Sequence, residues 1–132
     1  MRYLSFVLLA MFSVLSIAKA EDVCEGITQE EMNTCAGNRF EAADKALNER
    51  YGKLMKRLDP ENQVKLRQAQ RAWITYRDKW CEFETSGLGS VRPMIYTGCL
   101  TGLTEDHSKN LDYHLTCEEG DLSCKGWVGK RN

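Results

Sequence analysis

Apolar residues recur along this chain at helical rather than strand spacing. Met32, Ala36, Phe40, Ala43, Leu47, Leu54 and Leu58 fall three, four or seven apart, which places them on one side of a helix of about seven turns. Thr28-Gln29-Glu30-Glu31 marks its start as a capping box, Thr28 accepting from a first-turn N–H while Glu31 reaches back. Asp59-Pro60 ends this helix and opens the next, with Asp as N-cap and Pro where a missing N–H costs nothing. The second row is Leu66, Gln70, Trp73, Arg77, Trp80 and Glu84, with Ile74, Cys81 and Phe83 beside it. Ser86-Gly87-Leu88-Gly89-Ser90 breaks that row. Ser90 is placed to cap a third helix, Pro93 falls in its first turn, and Ile95, Cys99, Leu103, Leu111 and Leu115 carry its stripe. No strand-like alternation of useful length occurs. The pattern predicts helices near 28–58, 60–85 and 91–116. They form an all-α, up-down-up antiparallel three-helix bundle followed by a short polar tail.

The first twenty residues change the count. Arg2, the apolar run Tyr3 to Ile17, and Ala18-Lys19-Ala20 have the charge, core and small-residue cleavage site of a secretory signal peptide. Cleavage after Ala20 leaves 112 of the 132 residues. The expected organisation is a signal peptide over 1–20, one helical domain over 21–116 and a tail over 117–132. Cys24 stands after Glu21-Asp22-Val23 rather than small residues, so no lipid anchor is expected and the protein should be periplasmic or secreted. Loss of Arg2 and Lys19 takes the formal charge from −1 to −3, and no basic stripe suggests nucleic acid. Acids gather at both ends, as Glu21, Asp22, Glu25, Glu30 and Glu31, then Glu118, Glu119 and Asp121. Solvated helix ends explain them; attraction to a cationic partner is the sharper alternative.

All six cysteines, Cys24, Cys35, Cys81, Cys99, Cys117 and Cys124, lie beyond the cleavage site. An even count in an exported chain predicts three disulfides. There is no C-x-x-C, and His107 and His114 are not spaced as zinc ligands, so neither metal nor other cofactor is expected. In the bundle, Cys24, Cys35, Cys81 and Cys99 collect toward one end, which leaves all three of their pairings open. The reading favours Cys24–Cys35 with Cys81–Cys99, and Cys117–Cys124 closing the tail on itself. Oxidised cysteines cannot act as thiolate nucleophiles, and no G-x-S-x-G occurs. His107 and His114, with Glu105 and Asp106 nearby, are the residual candidates for acid–base chemistry, and the expectation is that the protein is not an enzyme.

Gln70 to Glu84 concentrates Trp73, Tyr76, Trp80 and Phe83 among charges. Trp73 and Trp80 are seven apart and share a face, with Arg77 between them as a cation–π partner. Core anchoring is the first reading and a ligand surface the second.

Four pieces then occur in order: Met32-Asn33-x-Cys35-Ala36, Ala43-Asp44-x-x-Leu47-Asn48-x-x-Tyr51, Gln70-x-Ala72-Trp73-Ile74-x-Tyr76-Arg77-Asp78-x-x-Cys81, and Cys99-x-x-x-Leu103-Thr104. Together they resemble the lysozyme inhibitor LprI-like N-terminal domain family, from Cys24 to about Leu115. Many members of that family are exported bacterial proteins. Its name comes from a lipoprotein reported to inhibit lysozyme, so the resemblance implies a protein partner, a cationic lysozyme-type hydrolase. This chain lacks the namesake's lipid-attachment cysteine. It carries His107 where relatives often have arginine, and its Cys117–Cys124 tail looks like an addition. Among the motif residues, Asp44 should lie near Trp73 within reach of Arg77, and Asn48 opposite Gln70, as a polar tie across the helices. The partner-binding candidate is Ser86, Gly87, Leu88, Gly89 and Ser90, a small loop bracketed by Cys81 and Cys99. The alternative function is a structural, assembly or toxin-immunity factor of the envelope.

Overall fold

A computed structural model describes Cys24, residues 28–118 and residues 120–124. The expected signal peptide, Glu21, Asp22, Glu25, Glu119 and the end of the tail lie outside the described residues. Three helices follow in order, α1 (Gln29–Arg57), α2 (Pro60–Glu84) and α3 (Arg92–Thr116), and no strand occurs among the described residues.

The punctuation read from the sequence sets the first two helices. The Glu31 N–H donates to Thr28 Oγ1 at 3.2 Å while the Thr28 N–H donates to Glu31 Oε2 at 2.9 Å, completing the capping box. Asp59 caps α2 through the Asn62 N–H at 2.8 Å. Gln63 reaches back to the Met55 and Leu58 carbonyls, so the end of α1 is satisfied by the start of α2. The third start differs from expectation. Ser90 does not cap α3: Val91 precedes it with φ −79° and ψ −10°, and no side chain caps the helix. Val91, the residue before the helix, is in the helical region rather than the extended conformation usual at an N-cap.

α3 runs parallel to α1 and packs against it far more extensively than α2 does against either. Arg57, at the end of α1, donates to the Leu115 carbonyl at 2.7 Å and also to those of His114 and Cys117. One cation thus satisfies the last carbonyls of a parallel neighbour, where the helix dipole favours positive charge. Nearby, Arg50 Nε contacts both Asp112 oxygens at 2.8 Å. Leu47, Leu54, Leu58 and Leu111 form the buried core, with Tyr51, Leu66, Trp73 and Leu115 packed on it.

Two of the expected stripes are rotated. On α2 the buried residues are Gln70, Arg77 and Cys81, while Ile74, Trp80, Phe83 and Glu84 are exposed. A spacing of seven falls about 20° short of two full turns each time, so the row from Leu66 drifts off the inward face by Trp80. On α3 the inward residues are Leu100, Thr101, Thr104, Ser108 and Leu111, and Ile95 faces solvent. Thr101, Thr104 and Ser108 are small, which allows the close approach of α1, and their polarity hid this face from a hydrophobic pattern.

Disulfides join Cys24 to Cys35, Cys81 to Cys99 and Cys117 to Cys124. No cysteine is free.

Candidate functional site

The end of the bundle opposite the α1–α2 turn carries the loop between α2 and α3. Its five residues, Ser86 to Ser90, are all exposed. Gly87 turns the chain at φ +81°, a left-handed value that suits glycine. The base of the loop is fixed: Thr85 is buried with its hydroxyl donating to the Cys81 carbonyl at 2.7 Å. Within the loop the Leu88 N–H meets the Thr85 carbonyl, and the Arg92 N–H meets that of Gly89. The Cys81–Cys99 bridge then clamps the two helices just below. The tip presents apolar surface, since Leu88, Val91 and Phe83 are exposed. No group would meet a Cβ added at Gly89, so the tip can change without disturbing the bundle.

Beside this tip, an aromatic strip runs down the outer flank of α2. Tyr76, Trp80 and Phe83 are 53%, 39% and 68% exposed. Trp80 stacks on Tyr76 with centroids 5.9 Å apart and tilts toward Phe83 at 5.8 Å. Trp73 behaves differently. It is half-buried against the core, lies 4.0 Å from the His107 ring at 14°, and has Arg77 5.2 Å from its centroid.

The four residues named for the polar tie separate into two groups. Arg77 is buried and lies 3.6 Å from Asp44, 2.9 Å from Asp78 and 3.2 Å from Thr104 Oγ1. Asn48 donates to Asp44 at 3.1 Å along its own helix. Gln70 does not face Asn48; its Oε1 lies 2.9 Å from His107 Nε2 on α3. Arg77 therefore links all three helices, and the Gln70–His107 pair fixes α2 on α3. Asp78 and His107 were missed as members of this network. The signal for His107 was present in Leu103-x-x-x-His107-x-x-x-Leu111, where an imidazole continues an apolar row.

Burial pushes the His107 pKa below its ordinary 6.5, because removal from water disfavours the charged ring. The unfolded chain therefore takes up this proton before the folded one. Stability is fully present above about 6.5 and falls as pH drops, until the folded ring protonates too. Melting temperature should fall between pH 7.5 and 5.5, and His107→Gln should reduce that dependence; an identical slope in the variant contradicts the assignment.

The acid–base candidates do not converge. Asp106 pairs with Lys109 at 2.6 Å on the surface, whereas His107 turns inward to Gln70 and Trp73. His114 meets Tyr113 edge-on. Among the described residues, no three His, Cys, Asp or Glu side chains are grouped to hold a metal ion. None of their helices is long and apolar enough to cross a membrane. Three disulfides point to an oxidising, extracytoplasmic compartment.

Comparison with known proteins adds the family. An uncharacterised protein of Rhizobium meliloti (strain 1021) is 34% identical, the match covering 68% of this chain and 76% of the relative. No solved structure matches the chain. The model of the family described as lysozyme inhibitor LprI matches residues 22–111, the span that holds all three helix starts, the Arg77 network and the clamped loop, and the chain belongs to that family.

Proposed function

We propose that the mature protein, beginning at Glu21, binds and slows a cationic lysozyme-type cell-wall hydrolase. The loop Ser86–Ser90 is its insertion point. The observation that carries this reading is the clamped, exposed apolar tip in a chain of the LprI family. A loop braced by the Cys81–Cys99 bridge loses little freedom on binding, and Leu88 supplies an apolar group that can enter a cleft. The mature charge of −3 speeds encounter with a cation, so added salt lowers the association rate more than it raises dissociation. The Arg77 network is a structural tie that holds the helices beneath the tip.

The experiment is lysis of a bacterial suspension by a panel of lysozymes, with and without excess oxidised mature protein. Its intact mass reports both cleavage after Ala20 and three disulfides. Wild type should slow lysis. Leu88→Asp should lose at least about tenfold in affinity, roughly 1.4 kcal/mol, with an unchanged melting temperature. Unslowed lysis across the panel rejects inhibition. The exposed strip Tyr76–Trp80–Phe83 supports the second reading, an envelope assembly or immunity factor, because a broad aromatic flank suits a protein partner.

A further inference from the structure

Between α1 and α3 runs an open groove of ≈ 660 Å³, within the ~300–1,000 Å³ of small-molecule sites. Its lining comes from these two helices alone. Ala42, Ala43 and Ala46 leave room along α1, and Asn38 adds a neutral amide.

The charges of the groove fall into two kinds. Arg50 is held by Asp112 at 2.8 Å, and Lys109 by Asp106 at 2.6 Å, so those positions are neutralised. Arg39 on α1 and Glu105 on α3 are exposed and make no ion pair among the described residues. Both also line a second groove of ≈ 560 Å³ on the Cys24 side, which sets them at one level, where the two grooves meet. Exposed charges need no partner, but a free cation and a free anion side by side favour a ligand that carries both signs.

A third feature lies one turn along α3. Ser108 lines the same groove, is 7% exposed, and has a hydroxyl without a hydrogen-bond partner. Thr97 and Thr101, earlier on this helix, donate to carbonyls four residues back, the usual outlet for a helical hydroxyl. Ser108 does not take it, and a buried hydroxyl left so calls for a partner. It can donate or accept, and a turn about χ1 between staggered wells brings it to an arriving amide. Ser108 stands three residues from Glu105, a rise of about 4.5 Å, close to the length of a glutamine side chain.

We propose that this groove binds a free α-amino acid with a side-chain amide, its carboxylate on Arg39, its ammonium on Glu105 and its amide at Ser108. The site is separate from the Ser86–Ser90 tip, so its test needs no hydrolase.

The experiment is an NMR titration of the oxidised mature protein with L-glutamine and D-glutamine in turn, up to ~10 mM, about ten times a Kd of 1 mM. At least one hand should give saturable shifts confined to residues 38–46 and 105–109. N-acetylglutamine lacks the ammonium, glutaminamide the carboxylate and norvaline the amide, and each should bind several-fold more weakly. Variants then assign the contacts. Arg39→Gln should bind glutamine and glutaminamide alike, Glu105→Gln should bind glutamine and N-acetylglutamine alike, and Ser108→Ala should bind glutamine and norvaline alike. Each variant should keep the wild-type melting temperature or exceed it, since two of the positions are exposed and the third loses an unsatisfied hydroxyl. Shifts that fail to saturate or scatter over the surface overturn the proposal. So does N-acetylglutamine binding as tightly as glutamine, which marks a plain anion site, and so do variants that discriminate as wild type does.

Discussion

Trp73→Ala is expected to cost about 3 kcal/mol, and Trp80→Ala about 1 kcal/mol, although the two tryptophans lie seven residues apart on one helix. Full burial gives large aromatics a truncation cost of about 3–5 kcal/mol. Trp73 is half-buried, but it packs on the leucine core, stacks on His107 and receives Arg77, which keeps it within that range. Removing it also leaves the Gln70–His107 pair unsupported at the α2–α3 contact. Trp80 is 39% exposed, and its ring contacts, with Tyr76 and Phe83, lie on its own helix. Chemical denaturation of both variants separates the cases. Equal costs would contradict the assignment of one tryptophan to the core and the other to the flank.

Replacing Cys81 and Cys99 together by alanine should lower stability by about 3 kcal/mol, the loop-closure value for a bridge spanning a separation of 18. Cys81 is wholly buried, so alanine avoids placing a hydroxyl there. A second effect separates this bridge from the other two. The clamp below the Ser86–Ser90 tip is lost, so hydrolase affinity should fall even at temperatures where the variant remains folded. Removal of the tail bridge, at the far end, should leave that affinity unchanged. Titration of both double variants at low temperature checks the contrast, and equal losses would remove the reason for assigning binding to this tip.

The helices were legible because their signals are local. A capping box, an Asp-Pro junction and a five-residue glycine-serine loop lie within a few residues of the boundaries they set. What each helix faces was less legible. Trp80 stood in the row read for α2 and Phe83 beside it, yet that row rotates away from the core along the helix and leaves both exposed. The inner face of α3 is built from Thr101, Thr104 and Ser108, which no hydrophobic count selects. The Asp44–Arg77 contact was readable from hairpin register, since it depends on the turn at Asp59. The Gln70–His107 pair was not, because it depends on how α3 is rotated against α2. That rotation is set by close packing on α1 and by the Cys81–Cys99 bridge.

Recognition of a lysozyme-type hydrolase by the clamped tip is what we propose, and the tip's exposed Leu88 makes it directly testable. Calorimetric titration of the oxidised mature protein with such hydrolases, beside Leu88→Asp, tests it most directly. A saturable complex is expected for wild type with at least one hydrolase, and affinity at least about tenfold weaker for the variant. Equal affinity of both proteins, or no heat with any hydrolase, would contradict it.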